Sequence, residues 1–187
     1  MYDKAYICQR ALSLLGDFRY TEGTPGYAAA NLHWDAVFTQ VLALHDWSFS
    51  RRRRVLLPDA DGLGYSLPPD CARIVELRGL RNWRRLGDRI EPEDVSRERM
   101  GEIVLVYSTS SLARRGEFPE GHPLVLEGLV RLLAAYCAVF VQSDHQLRRA
   151  LEAEARSILD EAMLSDSRQD ASADQHPLDD LNHSILD

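Results

Sequence analysis

Trp47-Ser48-Phe49-Ser50-Arg51-Arg52-Arg53-Arg54-Val55-Leu56-Leu57 alternates aromatic with small polar residues and then carries four arginines into a short apolar end, where Pro58-Asp59 breaks it. Period two predicts a strand over this stretch, because successive side chains of a strand point to opposite faces. Immediately upstream the period is three to four: Trp34, Val37, Val41 and Leu44 form a helical stripe behind Thr24-Pro25, an N-cap followed by a first-turn proline. The switch at Trp47 predicts an α+β protein: mainly a helical bundle, with a small antiparallel β insertion and a mobile C-terminal tail.

Working outward, the stretch from Tyr2 to Leu15 reads as an amphipathic helix with Ala5, Cys8, Leu12 and Leu15 on one face, stopped by Gly16. Short strands are expected at Tyr65 to Leu67, Arg73 to Arg78, Trp83 to Leu86 and Ile103 to Tyr107, with the polar stretch Glu91 to Glu102 as a separator. After a Ser/Arg/Gly-rich loop from Ser108 to Glu120, Leu124 to Gln142 is apolar nearly all round and belongs at the centre of a bundle. Ser143 or Asp144 caps a last helix whose Leu147, Leu151, Ala155, Ile158 and Ala162 face the core. The expected domain is 1–164, with helices near 2–15, 25–45, 122–142 and 144–164 and the β-rich insertion at 47–107. An acidic extension follows at 165–187, in which Leu178, Leu181, Ile185 and Leu186 make one apolar face suited to docking.

The chain's 187 residues are enough to bury a core without disulfides or a metal. Three cysteines, Cys8, Cys71 and Cys137, lie about sixty residues apart with no metal-ligand spacing. No apolar run of eighteen residues and no secretory leader is apparent, so the sequence reads as a soluble protein made in the cytoplasm. Net charge is −7, which disfavours nucleic-acid binding through overall charge. The distribution is uneven: Arg51 to Arg99 holds twelve Arg and nine acids, whereas Ala150 to Asp187 holds two Arg and ten acids.

Catalytic signatures are missing from the sequence: no GxSxG, HExxH, phosphate loop or dinucleotide fingerprint. Cys71 beside Asp70, and the pair His45-Asp46, are what a thiol hydrolase would have to be built from. The chain is therefore expected to be no enzyme and to need no cofactor. The informative polar feature is arginine. Arg51, Arg52, Arg53 and Arg54 put two guanidinium groups on each face of a strand, Arg51 and Arg53 beside Trp47 and Phe49. Arg81, Arg84 and Arg85 surround Trp83 on a hairpin. Such groups suit a neighbouring subunit's acids, the phosphates of nucleic acid, or solvent alone.

Three stretches carry a resemblance: Ile7-Cys8-Gln9-Arg10-Ala11-Leu12-Ser13-Leu14-Leu15-Gly16, Val41-Leu42-Ala43-Leu44-His45-Asp46-Trp47-Ser48-Phe49-Ser50-Arg51-Arg52-Arg53, and Tyr65-Ser66-Leu67-Pro68-Pro69-Asp70-Cys71-Ala72-Arg73-Ile74. With Val104 to Tyr107, Leu133-Ala134-Ala135-Tyr136-Cys137 and Ser167-Arg168-Gln169-Asp170, they resemble the tail tubular protein A and head-tail adaptor proteins of short-tailed bacteriophages. That resemblance implies a virion protein without catalysis. It would form a ring, typically dodecameric, that docks on the portal protein, continues the DNA channel without sequence-specific binding, and carries the downstream tail or nozzle protein. It also implies a C-terminal extension that reaches the portal or a neighbouring copy. The alternative is a nucleic-acid-binding module that uses Arg51 to Arg54.

Overall fold

A computed structural model describes residues 1–93 and 100–173. In chain order the elements are β1 (Tyr2–Asp3), α1 (Lys4–Ser13), α2 (Pro25–Leu44), a 3-10 turn (Ser48–Ser50), β2 (Arg51–Leu56), β3 (Tyr65–Ser66), β4 (Cys71–Arg78), β5 (Trp83–Leu86), β6 (Arg89–Pro92), β7 (Ile103–Thr109), α3 (Ser111–Arg115), β8 (Glu117–Phe118), α4 (Pro123–Gln142) and α5 (His145–Ala173). The α+β class stands. The chain divides into two compact units, one made of Met1–Val37 with Phe118–Asp187, the other of Phe38–Glu117.

In the helical unit, α4 packs on α5 and on α1. Ile7, Cys8, Ala11 and Leu12 from α1 are wholly buried, as are Leu129, Leu133, Ala134 and Cys137 from α4 and Ala155 from α5. Each large side chain contributes about 1.5–3 kcal/mol by leaving water. Gly128 on α4 lets α5 come close: a Cβ there would lie 2.5 Å from Cγ of Leu159. Arg10 pairs with Glu127, Glu127 with Arg131, and Arg131 with Glu154 at 3.3 Å, a chain of charges that ties α1, α4 and α5. Burial pushes the Glu127 carboxyl up, but the two arginines outweigh it and the net direction is down. By length and composition α4 is apolar enough to cross a membrane, and most of it is buried inside the unit.

Helix ends follow the sequence closely. Thr24 Oγ1 accepts from the Tyr27 amide at 3.2 Å ahead of Pro25. At the end of α1 the Gly16 amide donates to the Ser13 carbonyl and the Asp17 amide to Leu12, with Gly16 at φ 75°. Between α4 and α5 the choice falls on Asp144, whose Oδ1 accepts from the Gln146 and Leu147 amides, both at 2.9 Å. Ser143 terminates α4 in the left-handed region, at φ 55°. At the N-terminus the helix starts at Lys4 rather than Tyr2, because the Asp3 carboxylate accepts from the Tyr6 amide at 2.7 Å and so acts as the cap.

Further expectations need correction in this frame. The period-two stretch is a strand only from Arg51: the Ser50 amide and hydroxyl both donate to the Trp47 carbonyl at 2.9 Å, and the Trp47 indole N–H donates to Val41 at 2.8 Å, which closes a turn. At the other end, α5 runs to Ala173 rather than stopping near Leu164. Its buried stripe continues through Ala155, Leu159, Ala162 and Asp166, so a carboxylate takes the last apolar place and hides the helical period. Leu178, Leu181, Ile185 and Leu186 lie outside the described residues.

The other unit holds two antiparallel three-stranded sheets, ordered β2-β7-β4 and β3-β6-β5. The central strand β7 buries Ile103, Leu105 and Tyr107 against Leu56, Tyr65, Leu67, Leu80 and Ile90, one core shared by both sheets. The strand β6 was not expected; its Glu91 and Pro92 fall within the stretch read as a separator, and Ile90 at its second position is wholly buried. The expected loop from Ser108 contains the end of β7, the short α3 and β8.

Candidate functional site

Register decides where the arginines point. On β2, Arg52 pairs with Tyr107, Arg54 with Leu105 and Leu56 with Ile103, so these three residues share the face that covers the core. Leu56 is buried there, while Arg52 and Arg54, further along the edge strand, are exposed. Arg51, Arg53 and Val55 take the opposite face, opposite Ser108, Val106 and Val104. Beyond β7 the same face continues on β4 with Arg73, Glu76 and Arg78. The alternation read from the sequence therefore holds for the arginines. Trp47 and Phe49 do not share it, since they precede the strand.

Four arginines thus gather on one sheet face: Arg51 and Arg53 from β2, Arg73 and Arg78 from β4. Two acids interrupt them. Glu76 accepts from Nε and Nη2 of Arg78 at 2.6 and 3.0 Å, and this bidentate contact, with Arg53 nearby, holds its carboxyl below the usual range. Asp46 sits at the far corner: its carboxylate lies 3.4 Å from Arg73 and accepts from Ser108 Oγ at 3.5 Å, while its backbone carbonyl accepts from Arg51 at 3.1 Å. This occupies the carboxylate of the His45-Asp46 pair, and the His45 ring meets Trp47 edge-on with centroids 4.9 Å apart.

The hairpin arginines are placed differently. Arg84 reaches Glu91 across the β5–β6 pair at 3.4 Å, Arg85 donates to the Gly87 carbonyl at 3.1 Å and to the Ala72 carbonyl of β4 at 3.4 Å, and Arg81 stands exposed before the strand. The structure does not gather this group with Arg51 to Arg54 on one sheet. Arg89, which the sequence reading passed over, is held by Asp61 and Asp59, each at 2.9 Å. The signal for it was two acids after Pro58, but only β3–β6 pairing brings them to Arg89.

Cys71 begins β4, and Asp70 closes the turn before it. Burial pushes the Cys71 thiol up, against the pull of Arg85. A nucleophilic thiol needs the opposite shift. Burial also acts to raise the Asp70 carboxyl, but hydrogen bonds from Thr109 Oγ1 at 2.5 Å and from Tyr107 at 3.2 Å outweigh it, and the net direction is down. Asp70 is thereby a fastening between the Pro68-Pro69 turn and β7. Its backbone carbonyl accepts from the Ser110 amide at 2.9 Å. Cys8 and Cys137 are buried, and burial takes their thiols to about 11 and about 12. Among the described residues no three His, Cys, Asp or Glu side chains are grouped as metal ligands.

No family model matches the chain. Nor does any curated protein match it.

Proposed function

We propose that the chain is a structural head-tail adaptor of a short-tailed phage virion rather than an enzyme. Copies form a ring that docks on the portal, continues the DNA channel and carries the next tail component. The observation that carries this reading is the outward presentation of arginine: Arg52, Arg53, Arg54, Arg81, Arg84 and Arg85 are all exposed on strands and turns of one unit. That unit holds 14 Lys or Arg and 12 Asp or Glu, whereas the other holds 8 and 17. Opposite signs on two units of one chain favour head-to-tail contacts between copies, the heterologous kind that closes into a ring. The resemblance along nearly the whole chain supplies the portal and the tail.

The test is native mass of the purified chain mixed with the portal protein of the same virus, with and without residues 174–187. A many-copy complex is expected. Masses that remain those of the separate components, for both forms, would overturn the adaptor reading.

One observation favours a second reading. Arg51, Arg53, Arg73 and Arg78 on a single sheet face form the kind of basic surface that tracks a phosphate backbone. A nucleic-acid-binding module of this kind binds duplex DNA saturably and loses affinity steeply between low and moderate salt. An adaptor whose channel lets DNA pass shows weak, non-saturating binding.

A further inference from the structure

We infer that the outer edge of β2 docks an extended acidic strand of a partner protein, which extends the sheet through main-chain hydrogen bonds and meets the arginines with its carboxylates. This deepens the contact role proposed above by naming the chemistry of one partner.

The edge itself comes first. Among the described residues β2 pairs only with β7, and it ends the sheet order β2-β7-β4. In an antiparallel pair alternate residues turn both backbone groups away from the partner; at Arg51 the N–H already donates to the Ser48 carbonyl and the carbonyl accepts from the Arg52 guanidinium at 2.8 Å, so the stretch of β2 open to a further strand lies beyond Arg51. Arg52, Arg53, Arg54 and Val55 are exposed along it.

Charge then selects what can use this edge. A second β2 would set arginine against arginine, and like charges directly opposite are destabilising, so self-pairing is discouraged. An acidic strand gains on both sides. Arg53 points to one face and Arg52 and Arg54 to the other, so acids at successive positions of an added strand each find a cross-strand guanidinium, Arg52 exchanging the Phe49 and Arg51 carbonyls to which it donates at 3.3 and 2.8 Å. At the end of β2 a groove of about 370 Å³ is lined by Arg54, Val55, Leu57, Leu67 and Pro68, with the Asp59 carboxylate at its wall. Val55 and Leu57 are 54% and 63% exposed there. The groove accepts an apolar side chain at the end of the incoming strand, which fixes the register that charge alone leaves open.

The experiment uses the full chain and a fluorescein-labelled peptide that carries four successive Glu and ends in Leu, so that both faces of the added strand bear acids, followed by anisotropy and by hydrogen exchange at residues 51–56. Saturable binding with slowed exchange on β2 is expected. Methylating alternate backbone nitrogens of the peptide should weaken binding by about tenfold, because the outward hydrogen bonds are lost while the charge is kept. The chain carrying Arg52→Glu and Arg54→Glu should bind about tenfold more weakly, with unchanged circular dichroism. Equal binding of the methylated peptide would reduce the effect to unpaired attraction and overturn the proposal. So would absence of saturation, or displacement of the peptide by duplex DNA at lower concentration than by unlabelled peptide. Because the readout is peptide pairing by the chain alone, its failure leaves the portal mass measurement to be judged separately.

Discussion

Thr109 Oγ1 donates to the Asp70 carboxylate at 2.5 Å, across 39 positions of sequence, and Tyr107 adds its hydroxyl at 3.2 Å. The end of the central strand thus holds the turn that launches β4. Asp70→Asn should cost about 1–2 kcal/mol in urea unfolding at neutral pH. Because the folded state holds this carboxyl below its unfolded value, its contribution is complete above about pH 4 and is lost as the pH falls through the folded value. The gap between parent and variant should therefore narrow on acidification. A gap that stays constant from pH 7 to pH 3 would show that ionised Asp70 adds nothing.

Gly128→Ala should destabilise the helical unit by about 2 kcal/mol despite alanine's better helix propensity, since the new methyl meets Leu159. Adding Leu159→Ala should recover part of that loss, so the double variant costs less than the sum of the two single changes. Denaturation midpoints of the four proteins measure the coupling. Strict additivity would mean that α4 and α5 do not meet at this point.

Asp144→Ala removes one oxygen that serves two amides, Gln146 and Leu147. The loss should be about 1 kcal/mol, and Asp144→Asn or Asp144→Ser should restore most of it. The same substitution at Asp160, on the exposed side of α5, should change the midpoint by less than about 0.5 kcal/mol.

Thiol labelling should separate the cysteines. Cys71 is half-buried and should react first with a thiol reagent at pH 8, slowly, because burial has raised its thiol. Cys8 and Cys137, raised to about 11 and about 12 inside the helical unit, should react only as that unit opens. Mass spectrometry after timed quenching reads the order directly.

Arg52→Glu with Arg54→Glu should leave the thermal midpoint nearly unchanged, because both side chains are exposed, yet impair ring formation with the portal. Unchanged assembly would remove these two residues from the contact.

The parts of this fold that were readable in the sequence are those set by neighbours in the chain. Thr24-Pro25, Gly16 and the alternation of Arg51 to Arg54 act within a few residues, and each does locally what its chemistry dictates. What escaped notice depends on partners far away. The four residues Arg89-Ile90-Glu91-Pro92 bury two apolar side chains, Ile90 and Pro92, too few to establish a period, and become a strand through pairing with β3 and β5. Trp47-Ser48-Phe49-Ser50 imitates a strand while its hydroxyl and indole groups close a turn. Arg73 and Arg78 join Arg51 and Arg53 only through the register of β7, which no single segment encodes.

Asp166 gives α5 an alignment mark. A helix whose buried stripe were purely aliphatic could slide by one turn along its neighbour and exchange one leucine or alanine for another at little cost. With a carboxyl group at the end of the stripe, only 5% exposed and raising the His122 imidazole against its burial, such a slide would drag a polar side chain into the place of Ala162 or lift it away from the imidazole. One polar residue in a row of hydrocarbon thus distinguishes the native stacking from its near copies.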